Sequence, residues 1–312
     1  MSTLSTSEPT VVAPASPAGH KRRFNRHHFV GRIIILLAIL ITLFPLYWML
    51  RTALSNNRAL ASNASSFLPA DFTLGPFKRV LGLGTVEEAQ AEGGSGAALN
   101  FWLYLKNSLI VSIAITVGQV FFSAMAAYAF ARLHWPGRDK VFGLFLTALM
   151  VPPIFTMLPN FVLMKDLGLL NTYSAIILPF FFMTPFAVFF LRQFFLGVNR
   201  EIEEAARIDG AGHFRIFFRI ILPMSAAPIT TLALLTFITA WNEYFWPLLV
   251  GTEENVRVLT VALGVFRTQT PQGAPDWAGL MAAALIAAIP IVILFILLGK
   301  RVVNSIGFTG VK

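Results

Sequence analysis

No cysteine occurs in the 312 residues, which excludes a disulfide framework, a thiolate nucleophile and a cysteine-held metal. Charge is scarce as well. Only 12% of the residues are Asp, Glu, Lys or Arg, about half the share that a soluble domain carries. That is too little polar surface to cover a 34.4 kDa globule in water, so a soluble enzyme is excluded. There is no GxxxxGK[ST] loop to cradle a nucleotide phosphate, and neither HExxH nor GxSxG. The five histidines (His20, His27, His28, His134, His213) do not pair at metal-ligand spacing. No catalytic residue and no metal site are expected in this chain, and an intramembrane enzyme is a poor reading. A long internal repeat is also missing, so a transporter built from inverted halves is not supported.

What remains is apolar: 56% hydrophobic residues and a mean hydropathy of +0.70. A helical span needs roughly 20 such residues, because the hydrocarbon core is about 30 Å thick and a helix rises 1.5 Å per residue. Six stretches free of Asp, Glu, Lys and Arg qualify: Ile33–Leu50, Asn107–Ala131, Val141–Met164, Leu167–Leu191, Ile220–Asn242 and Trp277–Gly299. None alternates with period two, so a barrel is excluded, and lipid obliges each span to be helical. The fold class read from the sequence is therefore all-α, a polytopic membrane protein with six transmembrane helices.

The net charge of +9 would suggest nucleic acid in a soluble chain. Here it reads as lysine and arginine retained in cytoplasmic loops. With the N-terminus inside, 16 of the 24 basic residues and 6 of the 15 acids fall on the inner side, leaving +10 inside and −1 outside. Both termini are then cytoplasmic, and no nucleic-acid partner is expected. The first span follows a basic stretch but has 18 apolar residues and ends at Arg51 without a nearby cleavage site, so it reads as an uncleaved anchor. The domain reading is a cytoplasmic tail, 1–32, with Met1–His20 disordered, and a transmembrane domain, 33–312.

Two outer loops are long. In the first, the acidic, glycine-rich stretch Glu87–Gly96 is expected to be mobile. The last, Glu243–Asp276, is rich in Gly and Pro. The outer turn at Lys165–Asp166 is tight, and Pro136–Gly137 turns the chain inside. Prolines 152, 153, 179, 185 and 290 mark places where spans can bend. Ala283 with Ala287 and Ala284 with Ala288 permit close helix approach, although alanine is common in membrane helices anyway.

The inner loop 192–219 is unusual. Glu201, Glu203 and Glu204 open a short helix, where carboxylates suit the positive end of the dipole. Gly210 and Gly212, flanking Ala211, interrupt it. A second, amphipathic stretch follows, with Phe214, Phe217, Phe218 and Ile221 against Arg215 and Arg219, entering the bilayer near Pro223. Small Ala205 and Ala206 would let a partner approach the helix backbone, and such a helix can act as a lever. An ordinary charged loop is the alternative.

The same loop resembles the EAA signature of permease subunits in binding-protein-dependent ABC importers. Glu204, Ala205, Ala206, Gly210, Ile220, Leu222 and Pro223 fall in its register, and Asp209 with Ala211 completes an IDGA core. The likeness runs from about Ile33 to Lys312 and is to the MalG-like subunits of carbohydrate importers. It is carried also by NSLIVS at 107–112, AAYAFARLHWPGRD at 126–139, LGLLNTYSAIILP at 167–179, AWNEYFWPL at 240–248 and the terminal GFTGVK. The N-terminal tail and the acidic part of the first outer loop have no counterpart.

The resemblance implies a type I ABC importer transmembrane fold in the bacterial plasma (inner) membrane. It further implies that Glu204 through Ala211 form a coupling helix docking on a nucleotide-binding subunit, with Gly210 setting the bend. The partners implied are a second, MalF-like permease, two ATP-binding subunits, an extracytoplasmic solute-binding protein, a sugar substrate and membrane lipid. ATP and Mg would be bound by partner subunits, with no cofactor in this chain. The outer loop Glu243–Asp276 lies where the family contacts the binding protein; a flexible loop without that role is the alternative. Along the substrate pathway, Trp241, Asn242, Glu243 and Tyr244 offer aromatic faces, an amide and a carboxylate to a sugar, or form an interfacial aromatic belt. Gln119, mid-span, bonds a neighbouring helix or lines the cavity. Other polar organic solutes, such as a glycerol phosphodiester or a sulfosugar, fit the same class. A secondary transporter or channel would need charges buried mid-span, which all six stretches lack.

Overall fold

The computed structural model describes residues 26–63, 65–94, 96, 99–264 and 275–307. The N-terminal tail read as disordered, residues 265–274 of the last outer loop and residues 308–312 of the terminal motif lie outside the described residues. The chain divides at Tyr47 into two units. Most of α1 (Arg26–Ala53) belongs to the first, and from Val30 to Tyr47 nearly all its side chains are exposed and apolar. Such a helix is suited to lipid or to another apolar helix.

The second unit is built around α5 (Phe101–Arg132), the longest of the described helices. Around it lie α6 (Arg138–Thr147), α7 (Pro153–Asp166), α8 (Tyr173–Phe181) and α9 (Pro185–Leu196). Next come α10 (Arg200–Ile208) and a continuous stretch of α11 (His213–Ile216), a π turn (Phe217–Ile221) and α12 (Leu222–Met224). The chain ends with α13 (Ala226–Asn242), α14 (Phe245–Val250), α15 (Leu259–Ala262) and α16 (Trp277–Gly307). Among the described residues there is no strand, only an isolated bridge between Ser55 and Phe72.

Among the described residues three helices are long and apolar enough to cross a membrane: α1 from Val30, α5, and α16 to Gly299. Three bent pairs raise the number to six when each counts as one span. Residues 138–150 meet 153–166 at 96°, α8 meets α9 at 44°, and 213–224 meets α13 at 79°. Proline explains the first two breaks. Pro152 precedes Pro153 and is extended (ψ 135°), and Thr184 precedes Pro185 and is extended too (ψ 151°), the conformation that a following proline favours. Pro179 and Pro290, by contrast, sit within helices that continue. The third bend falls at Ser225 rather than at Pro223. Pro223 has no N–H for the carbonyl of Arg219, four residues back, and its ring crowds that carbonyl; the π turn relieves the crowding.

Small residues bring α13 and α16 together. Ala283 is fully buried, and the Trp241 indole donates to the Ala287 carbonyl at 3.2 Å. Between α1 and α5 in the chain, α2 (Asn57–Ser62), α3 (Gly75–Val80) and α4 (Val86–Ala91) form a small layer, the one expected on the outer side. The stretch 87–96, expected to be mobile, contributes α4 with a reciprocal cap: Thr85 Oγ1 accepts from the Glu88 amide and Glu88 Oε2 from the Thr85 amide, both at 3.2 Å. Glu92 then closes on Arg79 at 2.5 Å. In the described part of this stretch, acids thus serve a helix start and a buried cation.

Candidate functional site

Two places carry the residues that the sequence singles out. The first is the loop bearing α10. Asn199 caps the helix by accepting from the Glu201 amide at 3.1 Å. Asp209 is its last cap, and Gly210 follows at φ +78°, a left-handed position that an L side chain adopts only with strain. The bonds Gly210 N–H to Arg207 O (3.0 Å) and Ala211 N–H to Ala206 O (2.9 Å) close the helix end. Glu204, Ala205, Asp209 and Gly210 are exposed, whereas Ala206 and Ala211 pack against the core. Ile208 is 87% exposed, an apolar side chain aimed away from its own protein.

In the following stretch, Ile216, Phe217 and Ile221 are buried, and Phe214 and Phe218 point outward. Ile220 and Leu222 are half-buried and Pro223 is exposed. The amphipathic face read from the phenylalanines is therefore split between core and surface. Phe217 packs on Tyr128 and Phe218 stacks on Phe121, centroids 5.3 and 6.4 Å apart.

The second place is a cavity of about 220 Å³ bounded by α5, α8, α9, α13 and α14. Gln119, Trp241 and Glu243 line it; Asn242 and Tyr244 do not. Asn242 instead donates to the Ile238 carbonyl at 2.8 Å, back along its own helix. Glu243 Oε1 accepts from the Trp246 amide at 3.2 Å, starting α14. Gln119 does both things weighed for it: it lines the cavity, and its Nε2 donates to Thr184 Oγ1 at 3.1 Å, on the cap of α9.

The cavity also contains polar groups that the sequence reading missed. Ser108, Ser112 and Gln119 share one face of α5 at spacings of four and seven; Thr236 and Thr239 lie three apart on α13, and Glu243 caps its end. Two polar stripes at helical spacing within apolar spans were the available signal. Ser108 Oγ accepts from the Leu259 amide at 2.8 Å, while Ser112 Oγ is buried with no hydrogen-bond partner. Gln119→Leu is expected to lower stability by only about 0.5–1.5 kcal/mol, since one neutral bond is lost and Thr184 still caps Ala187. A thermal midpoint in detergent unchanged within error, or a collapse of the fold, would contradict it.

Residues 119–307 match the family model of the binding-protein-dependent transport system inner membrane component. The probable ABC transporter permease protein YurM of Bacillus subtilis is 33% identical over 301 residues, 94% of this chain and 92% of that protein. The arabinooligosaccharides transport system permease protein AraQ of Halalkalibacterium halodurans is 39% identical over 212 residues, covering 68% and 75%. The sn-glycerol-3-phosphate transport system permease protein UgpE of Brucella abortus is 31% identical over 279 residues, covering 89% and 95%. Among solved structures, a chain of a bacterial ABC transporter involved in the import of the acidic polysaccharide alginate superposes with TM-score 0.72 at 22% identity, over 92% of this chain and 99% of that one. The chain thus belongs to the family of binding-protein-dependent transport system inner membrane components, as a polytopic permease with the type I ABC importer transmembrane fold.

Proposed function

We propose that this permease forms half of the translocation pathway of a bacterial inner-membrane importer for a neutral carbohydrate. A second, MalF-like permease supplies the other half, two ATP-binding subunits supply the work with ATP and Mg, and an extracytoplasmic binding protein delivers the solute. The observation that carries the reading is α10: a capped helix with Glu204, Ala205 and Ile208 exposed, ended by a left-handed Gly210. An ATP-binding subunit would dock on that face, and its closure would move the helix and turn the cavity outward.

The cavity favours a sugar. Serine and threonine hydroxyls, the Gln119 amide and the Trp241 and Trp246 rings suit a polyhydroxylated solute. Its lining includes the Glu243 carboxylate and no lysine or arginine, so an anionic solute would find no counter-charge there. This sets a neutral saccharide ahead of the sn-glycerol-3-phosphate named for one relative.

Reconstitution of both permeases, the ATP-binding subunits and the binding protein in proteoliposomes tests the reading. Uptake of an arabinooligosaccharide should require ATP and exceed that of sn-glycerol-3-phosphate. Solute flux through this chain alone, or preferential uptake of the phosphate ester, overturns it. In the same system Gly210→Val costs about 1–2 kcal/mol of backbone strain at the helix end. No atom crowds the position, so strain is the whole effect. Substrate-stimulated ATP hydrolysis should fall; a wild-type rate with normal assembly removes Gly210 from the docking element.

A further inference from the structure

Glu201, Glu203 and Glu204 sit in the first turns of α10, yet they do not share an environment. Glu201 and Glu204 are exposed, whereas the Glu203 side chain is 4% exposed, with Oε1 lying 3.1 Å from Nε of Arg132. The Arg132 side chain is 2% exposed. Arg132 is the last residue of α5, and its Nη2 donates to the carbonyls of Phe195, in α9, and Val198, just beyond it. Arg207 Nη2 stands 3.8 Å from the other oxygen of Glu203, one turn along α10. One guanidinium therefore ties together the ends of α5, α9 and α10.

The other parts of α5 and α9 lead to the cavity. Helix α5 lines it at Ser108, Ser112 and Gln119, and Gln119 holds the cap of α9 through Thr184. Apolar contacts of Ala206 and Ala211 already seat α10 on the core. Burying two charges is costly and by itself weak evidence for stability. What the pair adds is a charge–charge attraction across 3.1 Å, without an aligned hydrogen bond, that holds the ends of α10 and α5 together more firmly than apolar contact alone.

We propose that Arg132 and Glu203 are positioning residues that form the joint between α10 and the cavity helices, passing a displacement of α10 to α5 and α9. The proposal rests on α10 being the docking helix. It gives Glu203 a role distinct from that of the neighbouring Glu204, which faces outward.

The test uses the complete complex in proteoliposomes, with co-purification of the ATP-binding subunit, ATP hydrolysis with and without loaded binding protein, and solute taken up per ATP as readouts. Glu203→Gln should co-purify at wild-type yield and keep basal hydrolysis. Stimulation by loaded binding protein and uptake per ATP should fall roughly ten-fold or more, within the range of allosteric couplings. Glu203→Asp, which retains the charge, should recover part of both. Arg132→Lys, which retains the charge but loses the fork that reaches α9, should be intermediate. Wild-type stimulation and uptake in Glu203→Gln overturn the joint, and so does a loss of co-purification and basal hydrolysis in that variant, which would make the pair a folding element only. Ile208→Asp separates the two readings: it should abolish co-purification, and if it does not, the docking assignment of α10 fails independently of the joint.

Discussion

Arg79→Met should destabilise the outer layer by about 3–5 kcal/mol, the usual effect of removing one partner from a buried ion cluster. The Arg79 side chain is 6% exposed and lies between Glu92, at 2.5 Å, and Asp276, at 3.2 Å. Asp276 is completely buried, and the same oxygen that accepts from Arg79 also accepts from the Gly279 amide at 2.8 Å, starting α16. Glu92 holds Thr73 at 2.7 Å. The cluster thus joins α3, the end of α4 and the head of a membrane span. Methionine fills much of the space but takes away the cation that Glu92 and Asp276 share at a largely buried place, so the loss exceeds that of a surface pair. Protease cleavage of segment 54–99 in right-side-out vesicles, and the thermal midpoint in detergent, should both report it. Adding Glu92→Gln and Asp276→Asn to the Arg79→Met background should restore part of the stability, because the two side chains that faced Arg79 are then neutral and an asparagine carbonyl can still cap α16. Wild-type protection in Arg79→Met, or a further loss in the triple variant, would show that the cluster does not hold this layer.

The apolar stretches were legible in the sequence because lipid leaves a spanning backbone no partner but itself, so composition and length suffice to find them. The start and stop of α10 were legible too: the acids opening it and Gly210 closing it are local chemistry. The bends show where this kind of reading stops. Pro152, Pro153 and Pro185 mark breaks because their effect on the preceding residue is local, but Pro179 and Pro290 look the same in sequence and lie in continuous helices. The difference lies in packing by distant segments. The environment of Glu203 was equally out of reach, since its partner Arg132 sits at the end of a different span and nothing in E-I-E-E says which carboxylate turns inward. The capped helix and ion pair within 87–94 likewise depend on Arg79, in another helix. Only the polar stripes on α5 and α13 were readable and went unread, since single hydroxyls in apolar runs draw less attention than charges.

Gly118→Val is expected to destabilise the fold by about 1–3 kcal/mol or more and to abolish uptake. Gly118 is buried on α5 where the end of α8 crosses it. A Cβ there would stand 2.7 Å from the Phe181 carbonyl oxygen, with the Phe181 ring closer still. The ring could rotate away; the backbone carbonyl could move only if α8 moved. Phe181 is the last residue of α8 and Thr184 is the cap of α9, so moving one displaces the other. Gln119, the next residue on α5, bonds Thr184 Oγ1 and lines the cavity, so the clash reaches the cavity wall within one residue. Gly118→Ala should show a smaller loss of thermal stability, because the methyl meets the same oxygen without a second branch. Adding Phe181→Ala to Gly118→Val removes the ring and leaves the carbonyl, so rescue should be partial. Complete rescue would place the whole conflict in the ring, and a wild-type thermal midpoint for Gly118→Val would mean that α5 and α8 can separate without cost.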